Sequence, residues 1–142
     1  MLTCTKHYKD IPFAHRQHAH DGHCALIHGH NWGVIIEFEA SELDECGFVV
    51  DFGKLKAFKT YLERFDHALV LNHDDPKLPE LLNLQRDGFA RIVLVNSCSS
   101  EGLAQHFYNT FSDIVSHNYS ERVRIRSVTV TEDSKNSASY RG

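Results

Sequence analysis

His30 to Ala40 reads HNWGVIIEFEA, and its alternation sets how the rest of the chain must fold. Val34, Ile36, Phe38 and Ala40 fall on one face and Glu37 and Glu39 on the other, the period-two pattern of a half-buried strand. Such a strand needs a neighbour. The segment from about residue 2 to residue 14 supplies it, and the glycine- and histidine-rich stretch between the two becomes the connection at one end of the sheet.

Beyond this hairpin, Glu42 to Gly47 ends the second strand and Phe48-Val49-Val50 is a short apolar run. Asp51 is placed to cap a helix whose Leu55, Phe58, Leu62 and Phe65 form one apolar stripe. Leu71 to Gly88 (LNHDDPKLPELLNLQRDG) holds two of the three prolines and reads as a partly helical excursion. Arg91 to Val95 (RIVLV) is a short strand, and Ser99 caps a second helix carrying Leu103, Ala104, Phe107, Phe111, Ile114 and Val115 at helical spacing. Val123 to Glu132 (VRIRSVTVTE) alternates, but Val123 and Ile125 are out of phase with Val128 and Val130, which predicts a bulge or a change of buried face near Ser127. The order is strand, strand, helix, strand, helix, strand: an α+β fold with an antiparallel four-stranded sheet and two helices on one face. No repeat, low-complexity tract or linker divides the chain, so residues 1–142 are expected to form a single domain.

The composition, 42% hydrophobic and 24% charged, suffices for a core without disulfide or metal staples. A net charge of −4 and a pI near 6.2 offer no positive field, so neither nucleic acid nor an anionic membrane is an expected partner. MLTCTKHYKDIPF lacks the apolar heart of a signal peptide, and no run of about 18 apolar residues occurs, so a cytoplasmic location is expected. Cys4, Cys24, Cys46 and Cys98 are spread without a pairing framework and read as buried or reactive thiols.

Histidine usage is what stands out. Six of the eleven, at positions 15, 18, 20, 23, 28 and 30, crowd into one stretch. On an extended backbone His28 and His30 leave the same face with Cα atoms about 6.6 Å apart, so both imidazoles can converge on one cation. A catalytic zinc takes three protein ligands and keeps one position open. His15, at the end of the first strand, is the preferred third ligand, with His18, His20 and His23 in the connecting loop as rivals. Cys24 in CALIHGH is either a fourth ligand of a structural site or a reactive thiol beside a catalytic one, and copper or nickel competes with zinc for such a donor set.

These residues and several others follow an order that resembles the family of 6-pyruvoyl-tetrahydropterin synthases and 6-carboxy-tetrahydropterin synthases. The matching pieces are His15-Arg16, Cys24-Ala-Leu-Ile-His28-Gly29-His30-Asn31, Val50-Asp51-Phe52 with Leu55-Lys56, and Asp66-His67 before Leu71-Asn72. Ser99-Ser100-Glu101 with Leu103-Ala104, then Val128-Thr-Val-Thr-Glu132 ahead of Ala138-Ser-Tyr140, complete the series along nearly the whole chain. The resemblance implies that His15, His28 and His30 bind Zn2+, that Cys24 transfers a proton with Asp66 and His67 as its partners, and that Glu132, with Ser99 and Ser100, holds the pterin substrate. It further implies the tunnelling fold, in which subunits close their sheets into a barrel, and a homohexamer made of two trimers with the site between subunits. The short Cys24-x-x-x-His28 spacing is similar to that of the carboxy-forming members. The implied reaction is the conversion of 7,8-dihydroneopterin triphosphate to 6-carboxy-tetrahydropterin, a step towards queuosine, with the pyruvoyl-forming reaction or non-catalytic zinc or pterin binding as alternatives. Physics accommodates these roles: a nearby dication favours a thiolate, and a carboxylate matches the paired N–H donors of a 2-amino-4-oxopteridine.

Overall fold

The computed structural model describes all residues 1–142. Strand β1 (Leu2–His15) and strand β2 (His28–Ala40) form the long antiparallel hairpin at its centre. Helix α1 (Lys56–Leu62), strand β3 (Ala68–Asn72), helix α2 (Leu78–Arg86), strand β4 (Arg91–Val95), helix α3 (Ser100–Asn118), strand β5 (Val123–Thr131) and strand β6 (Ser137–Arg141) follow. They build one six-stranded sheet in the order β4-β3-β1-β2-β5-β6. The β1–β2, β2–β5 and β5–β6 pairs are antiparallel, whereas β1–β3 and β3–β4 are parallel. The expected four-stranded antiparallel sheet with two helices is thus corrected to a mixed six-stranded sheet with three α-helices.

Two added strands account for the difference. β3 (ALVLN) is almost wholly buried, and a short parallel strand covered on both faces shows an apolar run instead of alternation. β6 (SASYR) is a short polar edge whose pattern is too weak to stand out. The excursion is helical from Leu78 to Arg86, but no residue of α2 is buried.

Trp32, Val34, Ile36, Phe38 and Ala40 of β2 form the floor of the core. Above them a chain of edge-to-face rings, Phe38–Phe58 at 5.6 Å, Phe58–Phe111 at 5.3 Å and Phe65–Phe107 at 4.9 Å, joins the sheet to α1 and α3. Asp51 accepts from the Gly53 amide and caps a 3-10 turn at Phe52–Lys54, one step ahead of α1 itself. Ser99 caps α3 by accepting from the Gly102 amide at 3.0 Å. The register shift near Ser127 is present: Glu37 faces Ser127 and Phe38 faces Ile125, leaving Arg126 as the extra residue. A second bulge lies in β1 between Tyr8 and Ile11, where Asp10 adopts φ 59° and accepts from the Asn31 side chain. No helix is long and apolar enough to cross a membrane.

Candidate metal centre and adjoining cavity

The alternation that buries Trp32 continues to the start of β2, so His30 and His28 emerge on the core face at the open end of the sheet. Hairpin register brings the third imidazole: His15 pairs with His28, and Phe13 with His30. Ring centroids stand 4.7 Å apart for His15–His28, 5.4 Å for His15–His30 and 5.0 Å for His28–His30. One ligand atom from each lies within 4.8 Å of the others, and no thiol belongs to the group. Trp32 meets His15 and His30 edge-on and stacks on Phe13 at 4.5 Å, giving the cluster a rigid aromatic floor.

The outer nitrogens decide which atoms point inward. His15 Nδ1 donates to the Cys98 carbonyl and His28 Nδ1 to the Leu26 carbonyl, each at 2.7 Å. A carbonyl only accepts, so Nδ1 carries the hydrogen and Nε2 keeps its lone pair. Nε2 of His15 and of His30 are buried without a hydrogen-bond partner. Glu132 Oε1 lies 3.2 Å from His30 Nε2 and 3.7 Å from His15 Nε2, without hydrogen-bonding alignment at either. Imidazole nitrogens converging on one small space, with a carboxylate at its edge, fit a cation held by the three histidines. Burial holds the His15 imidazole below its ordinary pKa; the Cys98 carbonyl opposes this, and His28 and His30 add to the lowering. The ring therefore stays neutral, the form in which imidazole ligates metal. His18 contacts the Asn72 side chain, His20 accepts from the Gly22 amide and His23 is exposed, so none of the three rivals joins the cluster.

Beside the histidines opens a polar cavity of about 330 Å3, lined by His15, Gln17, Cys24, Ser99, Ser100, Glu101, Glu132, Asn136 and Ser137. Cys24 reaches it from a one-turn 3-10 segment, His23–Ala25. Ser99 and Ser100 reach it from the start of α3. Glu132 follows β5 directly, and its amide donates to the Asn136 carbonyl across a turn in which Asp133 accepts from the Lys135 and Asn136 amides. That turn delivers Asn136 and Ser137 to the cavity. Sequence reasoning missed both; the DSKN segment, with an aspartate able to accept from amides two and three residues on, was the signal for a reversal there.

Asp66 and His67 lie elsewhere. They are neighbours too close in sequence to face each other across a helical turn, yet they bond directly, His67 Nδ1 to Asp66 Oδ1 at 2.6 Å, with His67 at φ 60°. Both are exposed and outside the cavity that holds Cys24; His67 instead borders a shallow groove with Asn31 and His30.

An α+β domain with a three-histidine centre at the mouth of a polar cavity defines the class, and the chain is an enzyme of the 6-pyruvoyl tetrahydropterin synthase family, which it matches over residues 3–142. A 6-carboxy-5,6,7,8-tetrahydropterin synthase of Rickettsia felis is 32% identical to it over 111 residues, 77% of this chain and 79% of that one. A probable 6-carboxy-5,6,7,8-tetrahydropterin synthase of Halobacterium salinarum is 33% identical over 122 residues, 86% and 75% of the two chains. Among solved structures, an uncharacterized protein of Wolinella succinogenes aligns with a TM-score of 0.85 at 22% identity, covering 99% of this chain and 98% of that one. The 6-pyruvoyl tetrahydropterin synthase of Plasmodium vivax aligns with a TM-score of 0.68 at 18% identity over the same shares, a likeness of fold.

Proposed function

We propose that the protein converts 7,8-dihydroneopterin triphosphate and water to 6-carboxy-5,6,7,8-tetrahydropterin, acetaldehyde and triphosphate, serving queuosine and other 7-deazapurine synthesis in the cytoplasm. The observation that carries this reading is the meeting of His15, Cys24 and Glu132 around one cavity, with His28 and His30 completing a three-nitrogen centre. Relatives at 32–33% identity bearing the carboxy-forming name support the choice of product. His15, His28 and His30 would hold Zn2+, whose Lewis acidity would acidify substrate hydroxyls.

The chain's own residues do the rest. Glu132 accepts from the two adjacent N–H donors of the pterin and fixes the ring's orientation. Ser99 and Ser100, at the positive end of α3, offer a hydroxyl and amides to the substrate. Cys24 takes a proton from a side-chain carbon. Its distance along the chain from His28 sets which carbon, since one inserted residue would move the thiol by up to about 3.3 Å. Asp66 and His67, exposed and away from Cys24, suit a site completed by a neighbouring subunit, as in a homohexamer whose sheets close into barrels.

Product analysis with purified protein and 7,8-dihydroneopterin triphosphate tests the proposal. Acetaldehyde, read by a coupled dehydrogenase, should appear in step with 6-carboxy-tetrahydropterin. Accumulation of 6-pyruvoyl-tetrahydropterin without acetaldehyde would overturn the carboxy-forming assignment.

A further inference from the structure

The turn bearing Cys24 has few anchors of its own. None of its three residues is buried, Gly22 before it lends no side-chain cap, and the turn is closed only by Ala25 N to Gly22 O at 3.1 Å and Leu26 N to His23 O at 3.0 Å. Segments with so few buried contacts open locally at little cost. Apart from the His28 Nδ1 bond to the Leu26 carbonyl just after the turn, the remaining restraints gather at Arg16 and its neighbour. Its Nη1 donates to the Ala25 carbonyl at 3.2 Å, and the next residue, Gln17, donates its amide to the Cys24 carbonyl at 2.7 Å. The other edge of the guanidinium forks onto Asp75, Nε to Oδ2 at 2.6 Å and Nη2 to Oδ1 at 2.9 Å. The Asp75 side chain is fully buried, and its Oδ1 also accepts from the Lys77 amide at 2.9 Å. On the far side, the Arg16 carbonyl accepts from the Cys98 thiol.

From this geometry we infer that Asp75 and Arg16 are positioning residues that hold the Cys24 turn against the histidine centre, and that this is the task of the segment following β3. The inference rests on the reading of Cys24 as the proton-transferring group. A bidentate Arg–carboxylate pair fixes direction as well as distance, which a lysine ammonium does not. Asp75 contacts neither the cavity nor the three histidines, so its influence passes through Arg16 to Ala25.

The test uses the full-length zinc-loaded protein and two variants, Asp75→Asn and Arg16→Lys; the second keeps the buried charge pair and guards against misfolding of the first. Metal content should remain that of the parent, while kcat falls ~10- to 100-fold, the scale expected when a catalytic group is displaced by ~1 Å, and KM moves by less than about threefold. Alkylation by iodoacetamide, followed peptide by peptide without substrate, gives a readout independent of turnover. Cys24 should label at least about threefold faster in both variants, while exposed Cys46 keeps its rate and buried Cys98 stays protected. Parent-like labelling of Cys24, loss of metal, or labelling of Cys98 together with Cys24 would each overturn the inference. Should the parent itself fail to turn over the proposed substrate, the functional reading falls, and the alkylation arm still decides whether the clamp holds the turn.

Discussion

Removing the metal should loosen the whole fold by an amount that can be worked out in advance. The centre exists only when β1 and β2 are paired, because His15 meets His28 through hairpin register, so an unfolded chain has nothing comparable to offer zinc. At free zinc 100-fold above Kd, binding to the folded state alone stabilises it by ~2.7 kcal/mol. For a chain of 142 residues, each kcal/mol moves the melting midpoint by ~3 to 4 °C, so zinc should raise Tm by ~9 °C over the chelated protein. With Nδ1 of His15 and of His28 each tied to a carbonyl, Nε2 is the atom that each ring offers to the metal. The assay is thermal unfolding after chelator treatment, with and without added zinc, for the parent, His28→Ala and Cys24→Ala. Two nitrogens in place of three should shrink the shift to less than ~3 °C in His28→Ala, as expected for free zinc near or below Kd. Cys24→Ala should keep the full shift and lose turnover, because the thiol lies outside the cluster. A parent Tm indifferent to zinc, or a shift retained by His28→Ala and lost by Cys24→Ala, would refute the three-histidine centre.

Glu132→Ala should abolish pterin binding in a fluorescence titration while zinc content stays at parent level; unchanged affinity would remove Glu132 from the pterin site. Gly102→Ala drives a Cβ into the Ser97 carbonyl oxygen and side chain at the start of α3, and should cost about 1 to 3 kcal/mol in urea unfolding, with parent-like stability counting against the close approach. Burial holds the His106 imidazole below its ordinary pKa of 6.5, with Arg64 pushing the same way, and Tyr61 Oη sits 2.6 Å from its Nε2. As pH falls through 6.5 the unfolded chain takes up a proton that the folded ring refuses, so stability should decline below that point, and His106→Gln should lose less stability than the parent between pH 7.5 and pH 5.5. Identical pH slopes for the two would show that His106 does not contribute.

How far the sequence carried depended on whether a residue's role was local. β2 was legible because one face is wet, and the bulge at Arg126 because the phase of β5 changes between Ile125 and Val128. Hairpin logic favoured His15 as partner of His28 but left His18, His20 and His23 as rivals, and the register His15 to His28 separates them. β3 was not legible: covered on both faces, it lost the alternation that marks a strand, and its parallel pairing to β1 joins residues more than 50 apart in sequence. Asp75 was invisible for a similar reason. An aspartate in HDDP reads as a turn residue, and only folding brings it against Arg16, 59 positions earlier. Asn136 and Ser137 needed the Asp133 turn and the β5–β6 pairing before they could be placed.

The bulge at Asp10 has a reach that its position in the middle of β1 conceals. Before it, even-numbered residues of β1 face the core: Cys4 opposite Phe38, Lys6 opposite Ile36, Tyr8 opposite Val34. After it the parity inverts, and Ile11, Phe13 and His15 take their places opposite Trp32, His30 and His28. Asp10 is the kind of short polar residue that tolerates the left-handed φ the extra residue requires. If Asp10 were kept but took the extended backbone of an ordinary ladder residue, the ladder would run on without the bulge. Everything downstream would then turn over, carrying the His15 imidazole to the solvent side and Ala14 to the inner side. Straightening a single residue about 17 Å up the strand would thus disarm the metal centre without touching any of its ligands.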